Sequence, residues 1–231
     1  MLSQLKKELE SLADSEKAKV YQRFFKTAKG EYGEGDVFLG LKVPKLREIA
    51  KKYYCLDLRQ LKELMDSSIH EHRMIALFIL IKKYNKSNET NKRKIFKLYI
   101  KNIKNINNWD LVDLNAPNIV GTHLINKDRK ILYDFAKSDN LWKKRISVLA
   151  CFAFIKNKDF KDTLKISEIL LKDKHDLIHK AVGWMLREIG KRDLTTLETF
   201  LKKHYKSMPR TMLRYSLEKL PEEKRNFYMG K

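Results

Sequence analysis

Apolar residues recur along almost the whole chain at steps of three and four, the spacing that places side chains on one face of a helix. The first segment shows this spacing in Leu2, Leu5, Leu9 and Leu12. Asp14 or Ser15 can cap the next helix, which carries Val20, Phe24 and Phe25. No stretch alternates apolar and polar residues for long enough to predict a strand. The pattern therefore predicts an all-helical protein.

Residues 30–40 interrupt this pattern and contain four of the eight glycines. The sequence Gly33-Glu34-Gly35 could form a phosphate cradle, but no strand precedes it and acidic residues surround it. A loop is the better interpretation. After it, Pro44 is suited to be the first residue of the next helix.

Three later segments resemble one another: residues 64–77, 135–149 and 170–184. Each has an apolar helix end, a short polar turn and a second helix that opens with a basic residue. The equivalent position in successive repeat units is occupied by Arg73, Trp109, Arg145 and Lys180, which are 36, 36 and 35 residues apart. A period of about 35–40 residues with two helices per unit is typical of HEAT-type α-solenoids. We therefore predict a right-handed α-solenoid of HEAT-like repeats with a concave basic face, forming a single domain over residues 1–231.

At the position one helical turn later, the residue type is not the same in every repeat unit. This position is occupied by Leu77, Asp113, Leu149 and Trp184. An acid and an indole thus stand where the other units have leucine, which is typical of a functional site. The repeat register predicts that Trp109, Asp113, Arg145 and Trp184 converge on one strip of one face.

Charge indicates the class of partner. The chain has 50 Lys and Arg against 29 Asp and Glu, a net charge of +21, with a sequence pI near 9.8. Nucleic acid is the expected polyanionic partner and an anionic membrane the second choice. The alternative is that the lysines merely solvate helix faces.

The remaining composition indicates a soluble intracellular protein. The N-terminus lacks the apolar core of a signal peptide, and the longest apolar run, residues 146–155, is about half of the ~20 residues that span a bilayer. Cys55 and Cys151 form no metal-binding or disulfide pattern, which fits a reducing compartment.

Each aromatic or acidic candidate has a structural alternative. Asp113 could cap a short helix that starts near Asn115. Trp109 and Trp184 could be core residues, and Ala181 and Gly183 beside Trp184 indicate close packing. We assign Trp142 to the core or a repeat interface and leave it outside the site.

Two basic groups are candidate DNA-binding residues. Lys143, Lys144 and Arg145 open a helix, whose N-terminus can add backbone donors for phosphate; the alternative is a solvated face. The strip after Trp184 continues with Arg187, Lys191 and Arg192. His70 and His72, two residues apart, lie on different helix faces and do not form a metal site.

Together these segments resemble the AlkD-type DNA alkylation repair proteins, which are HEAT-like-repeat DNA glycosylases. The resemblance is carried in order by residues 43–47 (VPKLR), 70–73 (HEHR), 107–113 (NNWDLVD), 143–149 (KKRISVL), 176–188 (DLIHKAVGWMLRE) and 208–215 (MPRTMLRY). It spans nearly the whole chain.

The resemblance implies a monofunctional glycosylase of base excision repair that excises 7-methylguanine and 3-methyladenine from duplex DNA. Asp113 would be the catalytic carboxylate, Trp109 and Trp184 would frame the damaged nucleotide, and Arg145 would hold the adjacent phosphate. We expect a cytoplasmic, nucleoid-associated monomer without metal or organic cofactor and without a membrane partner. The alternatives are a non-catalytic HEAT-repeat DNA-binding protein and a protein-binding scaffold.

Overall fold

The structure is a computed structural model that describes residues 1–230, and α-helices dominate it. The chain folds into two compact units, Met1–Asn115 and the residues from Ala116 onward. The single-domain organisation therefore stays a prediction. Within residues 1–230 the only β-pairing is an isolated bridge between Val37 and Ile69.

The first unit contains seven α-helices. They are α1 (Leu2–Ser11), α2 (Ser15–Phe24), α3 (Val43–Lys52), α4 (Leu58–Met65), α5 (His70–Lys86), α6 (Glu89–Lys101) and α7 (Trp109–Asn115). A 3-10 turn, Ile103–Asn105, precedes α7. The Asp14 carboxylate accepts a hydrogen bond from the Lys17 amide at 3.0 Å and caps α2, as predicted. Pro44 is the second residue of α3.

The second unit begins with a π-helical turn, Ala116–Gly121. The helices that follow are α8 (Thr122–Leu124), α9 (Lys130–Ala136), α10 (Leu141–Ala150), α11 (Phe152–Lys156), α12 (Lys161–Leu170), α13 (Asp176–Gly190), α14 (Leu194–His204), α15 (Arg210–Leu217) and α16 (Glu222–Met229). Consecutive helices pack in pairs, α9 against α10 and α12 against α13, as α4 packs against α5 in the first unit. These pairs are the two-helix units that the repeat predicted.

Helix α5 forms the core of the first unit and packs against α3, α4 and α7. Its apolar residues from Met74 to Leu80 are buried. The loop between α2 and α3 is fixed to α5 by Glu71, whose carboxylate accepts the amides of Leu39, Gly40 and Leu41 at 2.9, 2.9 and 3.2 Å. This loop is the one that the glycines at 30–40 predicted.

The four residues predicted to be equivalent in successive repeats do not all occupy the same position within their helices. Arg145 and Lys180 are each the fifth residue of their helices, and Arg73 is the fourth. Trp109 instead opens α7. The cause is local, because the Asn108 side chain accepts the Trp109 amide at 2.9 Å and the helix begins there.

Other sequence expectations concern membranes and cysteines. None of the helices within residues 1–230 combines the length and apolar character that a bilayer crossing requires. Cys55 is exposed, Cys151 is buried, and both are free thiols.

Candidate functional site

Trp109 and Asp113 lie one turn apart on α7, so their side chains share one face of this helix. Both are half-buried. The predicted pairing of an indole and a carboxylate on one helix face is therefore present in the first unit.

The alternative role of Asp113 as a helix cap does not fit the backbone. The chain is continuously helical through α7, the π-helical turn Ala116–Gly121 and α8, so no non-helical residue near Asn115 provides a helix start for Asp113 to cap. π-helical turns are often found at functional sites. Here the turn contains Pro117, whose missing amide disrupts regular α-helical hydrogen bonding.

Tyr99 of α6 lies close to Asp113. Its side chain is fully buried, and its hydroxyl has no hydrogen-bond partner. Burial first, and then the negative charge of Asp113, raises the pKa of Tyr99. The fully buried Tyr99 side chain is therefore part of the surroundings of Asp113.

A stack of aromatic rings packs against the Trp109 indole. Trp109 lies nearly parallel to Phe25 with ring centroids 5.3 Å apart, and Phe25 lies on Phe38 at 5.0 Å. Phe38 in turn lies on the His70 ring at 4.4 Å. Phe24 meets Trp109 edge to face at 5.9 Å and is 60% exposed. The periodicity placed Phe24 and Phe25 in a helix but gave no sign of this stack.

The rings that contact Trp109, those of Phe24 and Phe25, border a cavity of about 340 Å³ in the first unit. Its wall is mainly aromatic and aliphatic, with Tyr21, Phe24, Phe25 and Phe38. Asp110 and His70 supply polar groups to it. Trp109 therefore stands beside an aromatic concavity, although the sequence predicted no pocket.

A buried polar cluster connects α5, the α2–α3 loop and the start of α7. The His70 ring lies between two carboxylates, 3.2 Å from Asp36 Oδ2 and 2.8 Å from Asp110 Oδ2. Arg73 Nη2 is 2.6 Å from Asp36 Oδ2, and Asn107 Nδ2 donates to Asp36 Oδ1 at 2.9 Å. Sequence reasoning missed this cluster. The available signal was the run of four polar residues, 70–73, that opens the buried helix α5.

In the second unit, Trp184 lies on α13, half-buried, with its ring 6.2 Å from that of Phe152. The close packing predicted beside it is present. A Cβ atom on Gly183 would come within 2.5 Å of the Met212 carbonyl oxygen and of Tyr215 Cβ, so α13 and α15 approach as closely as glycine permits. Trp142 is buried, as its assignment to the core predicted.

Arg145 is more buried than a phosphate ligand was expected to be. Only 4% of it is exposed, and its guanidinium donates to the Leu177 carbonyl oxygen. It therefore ties α10 to the first turn of α13. Its assignment to phosphate binding stays a prediction.

The first turn of α10 offers fewer backbone donors than predicted. The Asn140 side chain accepts the amides of Trp142 and Lys143 at 3.0 and 2.9 Å. Lys144 Nζ lies 2.7 Å from Asp173 Oδ2, whereas Lys143 Nζ lies over the Phe135 ring at 5.9 Å. Lys143 is thus the better placed of the two lysines to meet an external anion.

The basic residues after Trp184 all have acidic partners. Arg187 pairs with Glu218, and Lys191 Nζ and Arg192 Nη1 lie 2.6 and 3.0 Å from the two oxygens of Glu188. Glu218 is exposed, so its ion pair with Arg187 contributes little stability and a DNA phosphate could take its place, whereas Glu188 is buried and loses more if its cationic partners leave. Their role in DNA binding stays a prediction, as does the convergence of Trp109 and Asp113 with Arg145 and Trp184.

No cluster of three or more His, Cys, Asp or Glu side chains suited to a metal ion is present in the described chain, residues 1–230.

Comparison with known proteins identifies the family. The sequence model of a family described as DNA alkylation repair enzyme matches residues 5–220. No curated protein sequence matches the chain.

Three solved structures resemble the fold. A predicted DNA alkylation repair enzyme from Enterococcus faecalis has a TM-score of 0.70 and 16% identity, covering 91% of this chain and 97% of its own. AlkD2 from Streptococcus mutans has a TM-score of 0.54 and 17% identity, with coverage of 83% and 90%. The protein smu.31 from Streptococcus mutans UA159 has a TM-score of 0.54 and 19% identity, covering 77% of this chain and 92% of its own. The predicted all-α, AlkD-like fold is confirmed.

Proposed function

This chain belongs to the DNA alkylation repair enzyme family, and from that premise we propose that it is a DNA glycosylase for cationic N3- and N7-alkylated purines such as 3-methyladenine and 7-methylguanine. The observation that carries the proposal is the pairing of Trp109 with Asp113 on one face of α7. The net charge of +21 favours a polyanionic substrate.

The protein does not need to protonate the damaged base before the base departs. Alkylation at N3 or N7 leaves the purine cationic, so it departs with the electrons of the N-glycosidic bond and becomes neutral without prior protonation. The deoxyribose then carries an oxocarbenium-like positive charge at C1′. A water molecule adds to C1′ and loses a proton, and the products are free base and an abasic site.

Asp113 is the residue that meets this charge. Ionised, it stabilises the cationic sugar and orients the water, as a carboxylate does in glycosidases. Its half-buried position beside Tyr99 keeps part of its surroundings dry, which strengthens the attraction.

Indole faces favour the cationic nucleotide. We assign this role to Trp109 and Trp184, each contributing on the order of 0.5–2 kcal/mol through cation–π contact. The ring stack on Phe25 and Phe38 fixes the orientation of Trp109. Arg145 is assigned to the phosphate beside the lesion, and Lys143, Lys144, Arg187, Lys191 and Arg192 to neighbouring phosphates.

The proposal is tested by product analysis. Duplex DNA treated with a methylating agent is incubated with the protein, and released bases are quantified by mass spectrometry. We expect free 7-methylguanine and 3-methyladenine with matching abasic sites and no strand nicking. Binding of the duplex without release of any methylated base would contradict the glycosylase and favour a non-catalytic DNA-binding protein.

A further inference from the structure

His70 bridges two carboxylates that belong to different parts of the first unit. Its ring is 3% exposed, with Nε2 at 2.8 Å from Asp110 Oδ2 and Nδ1 at 3.2 Å from Asp36 Oδ2. An ionised carboxylate only accepts hydrogen bonds, so each contact needs a proton on the ring nitrogen. The geometry is that of an imidazolium that donates to both acids.

The bridge ends at the first turn of α7. Asp110 is the second residue of α7, and its Oδ1 also accepts the Leu111 amide at 2.8 Å. Two residues before the helix, Asn107 donates to the same Asp36 that His70 contacts. The backbone on both sides of Trp109 is therefore tied to the His70 cluster.

We infer that His70 is a positioning residue: by bridging Asp36 and Asp110 it fixes the first turn of α7 and so the direction in which Trp109 and Asp113 face. The role of Asp113 in this inference rests on the proposed glycosylase function. The placement of Trp109 does not, and it can be measured without any enzymatic activity.

The two carboxylates beside His70 favour its protonated form. Burial alone would lower the pKa of His70, but Asp110 of α7 and Asp36 of the loop outweigh burial and the repulsion from Arg73, so its pKa is raised. A folded-state pKa above the unfolded value of about 6.5 means that the bridge is complete below that pH. It is lost as pH rises through the folded-state pKa.

The test is fluorine NMR of protein labelled with 5-fluorotryptophan. The chain has three tryptophans, and Trp→Phe variants assign their resonances. In His70→Gln, a neutral side chain that cannot donate in two opposite directions replaces the imidazolium. We expect the Trp109 resonance to shift or broaden while those of Trp142 and Trp184 stay in place. In the wild type the Trp109 resonance should titrate as pH rises above about 6.5 and through the folded-state pKa of His70, and His70→Gln should abolish this titration.

The matched control is His72→Gln. His72 is equally buried on the same helix, but its Nδ1 lies 2.9 Å from Ser67 Oγ, and burial lowers its pKa to about 4, so it is neutral near pH 7. It has no hydrogen bond to α7. We expect a wild-type Trp109 resonance and a wild-type titration in this variant.

Single-turnover excision of 7-methylguanine adds a second readout. Because a displacement of about 1 Å can slow a reaction by up to ~100-fold, we expect His70→Gln to slow the chemical step by ~10–100-fold with unchanged DNA affinity. His72→Gln should react at the wild-type rate. If the wild-type protein excises nothing, the glycosylase proposal fails, and the NMR result still decides the inference about His70.

Asp110→Asn gives an independent variant if His70→Gln does not fold. It keeps the size of the side chain and removes the charge that faces Nε2, so the titration of the Trp109 resonance is expected to move to lower pH. A Trp109 resonance and titration that stay at wild-type values in the folded variant, or an equal disturbance in His72→Gln, would overturn the inference.

Discussion

The Trp109 indole lies almost parallel to the Phe25 ring, with centroids 5.3 Å apart and 21° between the planes. Phe25 directly follows α2, and Trp109 opens α7. Two segments more than eighty residues apart in sequence are thus joined by one aromatic contact. Phe25 also stacks on Phe38, so it connects the Trp109 indole to the rings behind it.

Phe25→Leu should therefore lower the free energy of unfolding by about 1–3 kcal/mol, because leucine fills similar space but loses the ring contacts. Urea denaturation measures the change. Phe227→Leu is the control, since Phe227 is 66% exposed, and it should change stability by no more than about 0.5 kcal/mol. Equal effects of the two substitutions would contradict the structural role of Phe25.

Helix α13 contains two glycines whose substitution should have different effects. In Gly183→Ala the new Cβ meets the Met212 carbonyl oxygen at 2.5 Å, and backbone cannot move aside easily. We expect a loss of about 1–3 kcal/mol in the free energy of unfolding. In Gly190→Ala the nearest atom is Leu197 Cδ2, at the flexible end of a side chain, so the loss should be smaller. Thermal unfolding of both variants measures these losses. A smaller loss of stability in Gly183→Ala than in Gly190→Ala would contradict the close packing of α13 on α15.

Lys143 and Lys144 are neighbours with different surroundings. Lys143→Ala should weaken binding to duplex DNA and lower the slope of log K against log salt concentration by about 1, the value for one lost phosphate contact, without a change in stability. Fluorescence anisotropy at several salt concentrations measures this slope. An unchanged slope would exclude Lys143 from the DNA interface.

Lys144→Ala, unlike Lys143→Ala, should also reduce stability. It removes the ammonium group 2.7 Å from the buried Asp173 carboxylate. Because the Lys144 side chain is partly exposed, we expect a loss of about 1–2 kcal/mol, less than for a fully buried pair. Urea denaturation of Lys143→Ala and Lys144→Ala measures the loss of stability. A larger loss in Lys143→Ala would contradict the ion pair between Lys144 and Asp173.

Acid stability of the second unit should depend on Arg129. Its Nη1 lies 2.6 Å from both Asp159 Oδ2 and Asp162 Oδ2. Burial alone would raise the pKa of Asp162, but hydrogen bonds from Tyr133 and Arg129 outweigh it and lower the pKa. The resulting stability is present above the unfolded pKa of about 3.9 and is lost as pH falls through the folded-state pKa.

In Arg129→Met the same burial acts without the guanidinium, so the pKa of Asp162 rises. The variant should lose stability at a higher pH than the wild type does, in urea unfolding measured between about pH 3 and pH 7. Parallel acid profiles for the two proteins would show that Arg129 does not hold Asp162 ionised.

The sequence predicted the local features of this protein well. Helical spacing and the cap at Asp14 depend on neighbouring residues, and the structure contains both, whereas Pro44, predicted as the first residue of its helix, is the second. The pairing of Trp109 with Asp113 also follows from spacing within one helix. These features need no knowledge of distant contacts.

The parts that sequence reasoning missed depend on contacts between distant segments. Asp36 and Asp110 meet His70 from 34 and 40 residues away, and no periodic pattern marks such a meeting. The family resemblance assigns Arg145 to phosphate binding, and that assignment stays a prediction, but no pattern in the sequence indicates that this side chain is buried. Its burial follows from a carbonyl oxygen 32 residues later, at Leu177.

The central claim is that the carboxylate of Asp113 stabilises the sugar cation, and one rate constant tests it most directly. Single-turnover excision of 7-methylguanine from a defined duplex is compared for the wild type and Asp113→Asn, a variant of nearly identical shape without the negative charge. We predict excision ~10²–10³-fold slower with unchanged DNA affinity, the usual effect of losing one electrostatic group that acts on the transition state. Excision by Asp113→Asn at the wild-type rate would contradict the account.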